Sequence, residues 1–152
     1  MKLWMVFVII TILCWGAYVP TIHHGQRAFG GTNAAFRAFL FVGLAYFLSA
    51  GFILVYMIVT RAEPMVLTGG GVWLSTLAGL FGAGGALGVI FALKWGGAPI
   101  YVAPLVFAGA PLVNTFVSMA WSKSRALPSP WFFVGILLAG AGAALVLRFK
   151  PA

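Results

Sequence analysis

The sequence predicts an all-α transmembrane protein, a five-helix bundle, and three observations carry that expectation. Apolar residues make up 63% of the 152-residue chain and charged residues 7%, whereas about a quarter of a soluble domain is charged. Five apolar stretches reach the roughly 17–25 residues that a bilayer crossing requires. Trp4, Trp73, Trp95, Trp121 and Trp131 all fall at the ends of those stretches, where indole rings favour the boundary between hydrocarbon and headgroup; Trp15 alone lies deeper.

The first stretch runs from Leu3 to Pro20. Lys2 followed by an apolar run also describes a signal peptide, but the run exceeds an ordinary apolar segment of about 7–15 residues and no A-x-A-like site follows; a retained helix is expected. The second, 33–60, is long enough to tilt or to extend past the hydrocarbon. Gly69-Gly70-Gly71 reads as a turn before the third, 71–93. The fourth, 98–121, follows the Gly96-Gly97 breaker, with Pro99 in a first turn where its missing N–H costs nothing. The fifth, 130–147, opens with Ser129 as N-cap and Pro130 at the first helical position. The connections are short, so residues 1–152 read as a single transmembrane domain, in the cell (inner) membrane as a multi-pass protein.

Nine Lys and Arg stand against one acid, Glu63. Catalysis by paired carboxylates and carboxylate cages for Ca²⁺ or Mg²⁺ are thereby excluded. One cysteine, Cys14, allows no internal disulfide and no thiolate zinc site; on a helix it reads as a small buried apolar residue. No nucleophile, base and paired acid come together, so no catalytic residue, cofactor or nucleic-acid partner is expected, and the chain reads as a non-enzyme. An odd number of helices places the termini on opposite sides. Lys2, Arg61, Lys123 and Arg125 then share one side, and Arg27, Arg37, Lys94, Arg148 and Lys150 the other. Membrane orientation normally follows an excess of Lys and Arg on the cytoplasmic side, and here the two sides nearly balance. Either an early determinant decides, or both orientations are inserted and two copies pair head to tail.

The fourth stretch holds the most chemistry. At about 100° per residue, Tyr101, Pro104, Ala108, Pro111, Asn114, Thr115 and Ser118 share an arc of roughly 140°. Val102, Leu105, Val106, Val113, Phe116 and Val117 form the other side, which is expected to face lipid. Pro111 deprives the Phe107 carbonyl of its usual donor, and such interruptions are tolerated where backbone lines a cavity or finds another partner. Asn114, with Thr115, Ser118 and Tyr101, is the expected substrate contact; the alternative is that these groups bond neighbouring helices or their own backbone. Trp15 and Tyr18 offer an aromatic wall to a ligand or anchor the interface. Arg37 and Lys94, at membrane ends, pair with headgroups or supply charge to a cavity. His23 and His24, adjacent in the expected loop, have no Cys, Asp or further His beside them, so no metal site is predicted; gating or pH sensing is the alternative to plain solvation. The glycine string of the third stretch suits close helix packing rather than a dinucleotide turn, which needs a preceding strand. Gly84 with Gly88, Gly135 with Ala139 and Gly140 with Ala144 form small-xxx-small pairs.

Several runs resemble the drug/metabolite transporter superfamily, in particular one five-helix repeat of the EamA-like kind. Trp15-Gly16, followed after a short basic loop by Arg37, is similar to the family's opening pattern. Gly85-Ala86-Leu87-Gly88, then Ala98-Pro99-Ile100-Tyr101-Val102-Ala103-Pro104-Leu105, then Gly135-Ile136-Leu137-Leu138-Ala139-Gly140-Ala141-Gly142, resemble helices three to five of such a repeat. The resemblance implies one half of an inverted-repeat transporter, a carrier of a small polar or anionic metabolite that needs a second half-transporter as antiparallel homodimer or heterodimer. The glutamate that relatives often place after the fourth helix is absent, the chain reading Trp121-Ser122-Lys123, and the first helix lacks the acid of small multidrug efflux relatives. With no acid inside the expected spans, facilitated diffusion or exchange is expected rather than carboxylate-coupled proton transport. A reading of a different class is a non-transporting assembly or regulatory subunit packed against a larger partner.

Overall fold

The computed structural model describes residues 2–61, 64–121 and 129–149. Among them the secondary structure is helical: α1 (Leu3–Phe29), α2 (Ala34–Thr60), α3 (Gly69–Lys94), α4 (Pro99–Trp121) and α5 (Pro130–Arg148). All five are long and apolar enough to cross a membrane. Side chains that a water-soluble fold would hide stay uncovered along every helix, Phe47 at 74% and Leu137 at 71% exposure for example. Uncovered apolar surface on this scale requires lipid or a partner as its solvent. The chain is a multi-pass membrane protein. Its tryptophans fit that medium, Trp95 and Trp131 at helix ends being among the most exposed residues.

Two compact units divide the chain: Met1–Pro20 with Gly97–Ala152, and Thr21–Gly96. In the first, α4 packs against α5, and the Trp15 ring of α1 lies 5.9 Å from that of Phe107 on α4 at 47°. Val19 and Val102 are buried, whereas α5 has no buried residue. In the second, α2 packs against α3. Its buried residues gather at one end: Gln26 near the close of α1, Ala35 and Ala38 at the start of α2, and Val89, Ile90 and Leu93 at the close of α3. Phe36 and Phe91 meet there edge to face, 5.6 Å apart. The rest of α2, from Leu40 onward, is largely uncovered.

Three local expectations are corrected. The first helix does not end at Pro20; it continues to Phe29. Proline removes one donor and crowds one carbonyl, that of Gly16, but leaves the helical bonds of the residues after it intact, and the helix continues through it. His23 and His24 are consequently helical, not loop, residues. The real end comes at Gly30 (φ +58°) and Gly31 (φ +72°), left-handed positions suited to glycine, with the Gly30 N–H donating to the Gln26 carbonyl at 3.2 Å. Second, Gly69–Gly71 is not a turn but the opening of α3, because Thr68 accepts from the Gly71 N–H at 3.3 Å and caps the helix. Third, Cys14 is exposed rather than buried. The α5 start is as read, with Ser129 accepting from the Trp131 N–H and Pro130 following.

Candidate functional site

The polar arc of α4 lies in the first unit. Asn114 and Ser118 are exposed and Thr115 and Tyr101 half-buried, with Pro104 and Pro111 inside the continuous helix. Prolines at these positions leave the Ile100 and Phe107 carbonyls without their normal helical donors. Four hydroxyls on other helices satisfy themselves locally, although that of Ser75 on α3 does not. Thr11, Ser49, Thr60 and Thr76 each donate to the carbonyl four residues back, at 2.8–2.9 Å. No such bond engages Asn114, Thr115 or Ser118, and no hydrogen bond joins their side chains to another described residue. The backbone-bonding alternative therefore does not account for them. Trp15 stacks obliquely beside this helix through Phe107 and is still 56% exposed, while Tyr18 is half-buried one turn on.

On the opposite side of α4, Val113, Phe116 and Val117 are exposed, in keeping with a lipid face, and Leu105 is half-buried. Val102 is the exception and a correction, being only 6% exposed. At Gly84, Gly88, Gly135 and Gly140 an added Cβ would meet nothing within 4 Å. The small-residue faces are therefore open within the chain.

The two candidate cavity charges belong to the other unit, and they do different things. Arg37, in the second turn of α2, is exposed and reaches back with Nη1 to the Phe29 carbonyl at a long 3.5 Å. That places a cation at the C-terminal, negative end of the α1 dipole. Lys94, the last residue of α3, borders a cavity of about 220 Å³. Its Nζ lies 5.7 Å from the Phe36 ring centre and 5.9 Å from that of Trp95, within cation–π range.

The cavity brings together groups that the sequence reading scattered. His23, Gln26 and Arg27 from α1 face Lys94 and Leu93 from α3, and the Gly30–Gly31 turn and Ala35 of α2 complete the wall. Gln26 is 7% exposed, and its Nε2 donates to the Ile90 carbonyl at 2.9 Å, tying the ends of α1 and α3. The Nδ1 of His23 is buried and has no hydrogen-bond partner; the His24 ring stands 6.2 Å away. No group of three His, Cys, Asp or Glu side chains able to hold a metal occurs among the described residues. A helix that stops at Pro20 hides this cavity from the sequence. Had the helix been carried onward, His23, Gln26, Arg27 and Gly30 would have stood at i, i+3, i+4 and i+7, one face of a helix.

Comparison with protein-family models, with curated proteins and with solved structures finds no match, so the likeness to a transporter repeat rests on the residues quoted for it.

Proposed function

We propose that this chain is a half-size secondary transporter of a small polar or anionic metabolite, acting in the cell (inner) membrane as an antiparallel homodimer or as one half of a heterodimer by alternating access. The observation that carries the reading is the uncommitted polar strip of α4, where Asn114, Thr115 and Ser118 have no bond to another described residue beside backbone opened by Pro111. Polar groups facing hydrocarbon without partners are costly. A second copy of α4 presented to the first encloses such a strip at the midplane, where transporter repeats build their sites. Asn114, Thr115, Ser118 and Tyr101 then supply donors and acceptors, and Trp15 and Tyr18 an aromatic flank.

Purified protein in liposomes is expected to accelerate uptake of a metabolite from a broad panel, with flux persisting in the absence of a pH gradient. Asn114→Ala should lower the rate by about ten- to a hundredfold if it removes one hydrogen bond to a charged group, worth roughly 1.5–3 kcal/mol. Inert vesicles across the panel overturn the reading.

The open glycine positions on α3 and α5 favour a second reading, a non-transporting subunit that packs against a larger partner. In that case Asn114→Ala weakens assembly, read as loss of a co-purifying chain, and leaves no transport to lose.

A further inference from the structure

We propose that the cavity in the Thr21–Gly96 unit is a binding site for a small oxyanion of the phosphate type, held chiefly by Arg27 and Lys94. Both side chains border one space of about 220 Å³, and no acidic side chain is among the described residues that line it. The sequence has a single acidic side chain, Glu63, against nine Lys and Arg. Arg27 and Lys94 are both exposed at the rim of this recess, and two like charges bordering one space repel each other even where solvent screens them. An anion between them reverses the sign of that interaction.

The lining matches such a ligand in shape and in donors. Arg27 supplies a planar fork suited to two oxygens and Lys94 a point charge with three donors. Gly30 and Gly31 place no side chain in the mouth, and the adjoining start of α2 has no side-chain cap from Asn33. The first N–H groups of a helix and the positive end of its dipole favour an anion. His23 borders the same space, and Gln26 is held in place by its bond to Ile90. At roughly 30 Å³ per water the space holds about seven waters, too little for a drug-sized molecule but enough for one compact charged group.

Depth in the membrane fits as well. A 27-residue helix is about 40 Å long at 1.5 Å per residue, some 10 Å more than the hydrocarbon core. The last turns of α1, from His23 onward, therefore extend to the headgroup layer. The oxyanion can come from a lipid headgroup or from free solute, and the site does not depend on whether the chain transports.

The test uses full-length protein in nanodiscs of zwitterionic phosphatidylcholine. One arm titrates inorganic phosphate at constant ionic strength, with chloride as reference, by calorimetry. The other exposes the protein to phosphatidylglycerol and counts retained lipid by native mass spectrometry. Arg27→Gln and Lys94→Gln are expected to weaken binding about tenfold or more, the loss of one charge-assisted contact. Lys94→Arg should retain it, as should the charge-matched controls Lys2→Gln and Arg148→Gln. Saturable phosphate binding with this pattern identifies a solute site, and lipid retention with this pattern a headgroup site. Absence of saturable binding in both arms, or equal weakening by the control substitutions, overturns the proposal. Uptake that fails while binding holds removes the transport reading alone.

Discussion

Backbone geometry at single residues already makes a sharp distinction in this chain. Gly31 sits at φ +72°, yet a Cβ there would touch nothing within 4 Å. The demand for glycine is thus conformational and not spatial. Gly31→Val is expected to cost about 1–2 kcal/mol, the penalty of a left-handed L-residue, whereas Gly31→Asn should cost clearly less because asparagine tolerates that region. Unfolding in mixed micelles read by circular dichroism checks the order. Equal losses would mean that the space, not the torsion, is limiting. The buried Gln26 illustrates the complementary case, a polar side chain admitted to the packed end of its unit because its amide finds the Ile90 carbonyl at 2.9 Å.

At the level of the helix, prolines separate what the sequence announces from what it conceals. Length and apolarity locate all five spans, because a bilayer imposes a minimum run that no local signal can disguise. Starts marked by a cap and a proline, such as Ser129-Pro130, are legible because the favourable position is fixed by local bonding. Ends are harder. Pro20 and Gly69–Gly71 carry the residue types of breaks, but one proline costs α1 a single helical bond and the helix continues, and Thr68 supplies the cap that the glycines lack. The polar arc of α4 was readable from spacing, whereas the Arg27–Lys94 cavity was not, since it depends on helices distant in sequence arriving at one level. Pro111 offers a test at this scale. Pro111→Leu restores a donor to the Phe107 carbonyl and is expected to raise stability by about 1 kcal/mol, read as a later midpoint in denaturing micelles. Under the transport reading the same variant slows uptake, because the opened backbone is lost.

For the molecule as a whole, the notable quantity is how little of it is covered by itself. Seven apolar side chains are buried among the described residues, and the glycine faces of α3 and α5 stand open. Gly84→Leu and Gly88→Leu should therefore leave the helical content and thermal midpoint of an isolated chain within about 0.5 kcal/mol of the original, as surface substitutions do. If α3 packs against another chain through this face, the same changes should abolish a cross-linked dimer or heterodimer in native membranes, because close approach needs small residues. Undiminished cross-linking would assign the contact to another face, with the α4 strip the next to examine.

The bareness of α5, which buries none of its residues, bears finally on the life of the protein in a cell. A helix that packs against α4 yet buries no residue draws much of its permanence from whatever surrounds it. Were the chain to assemble as proposed, its turnover would follow the supply of its companion: copies made in excess would display uncovered helix surface to the proteases that police the bilayer, and abundance would settle at the level of the scarcer chain.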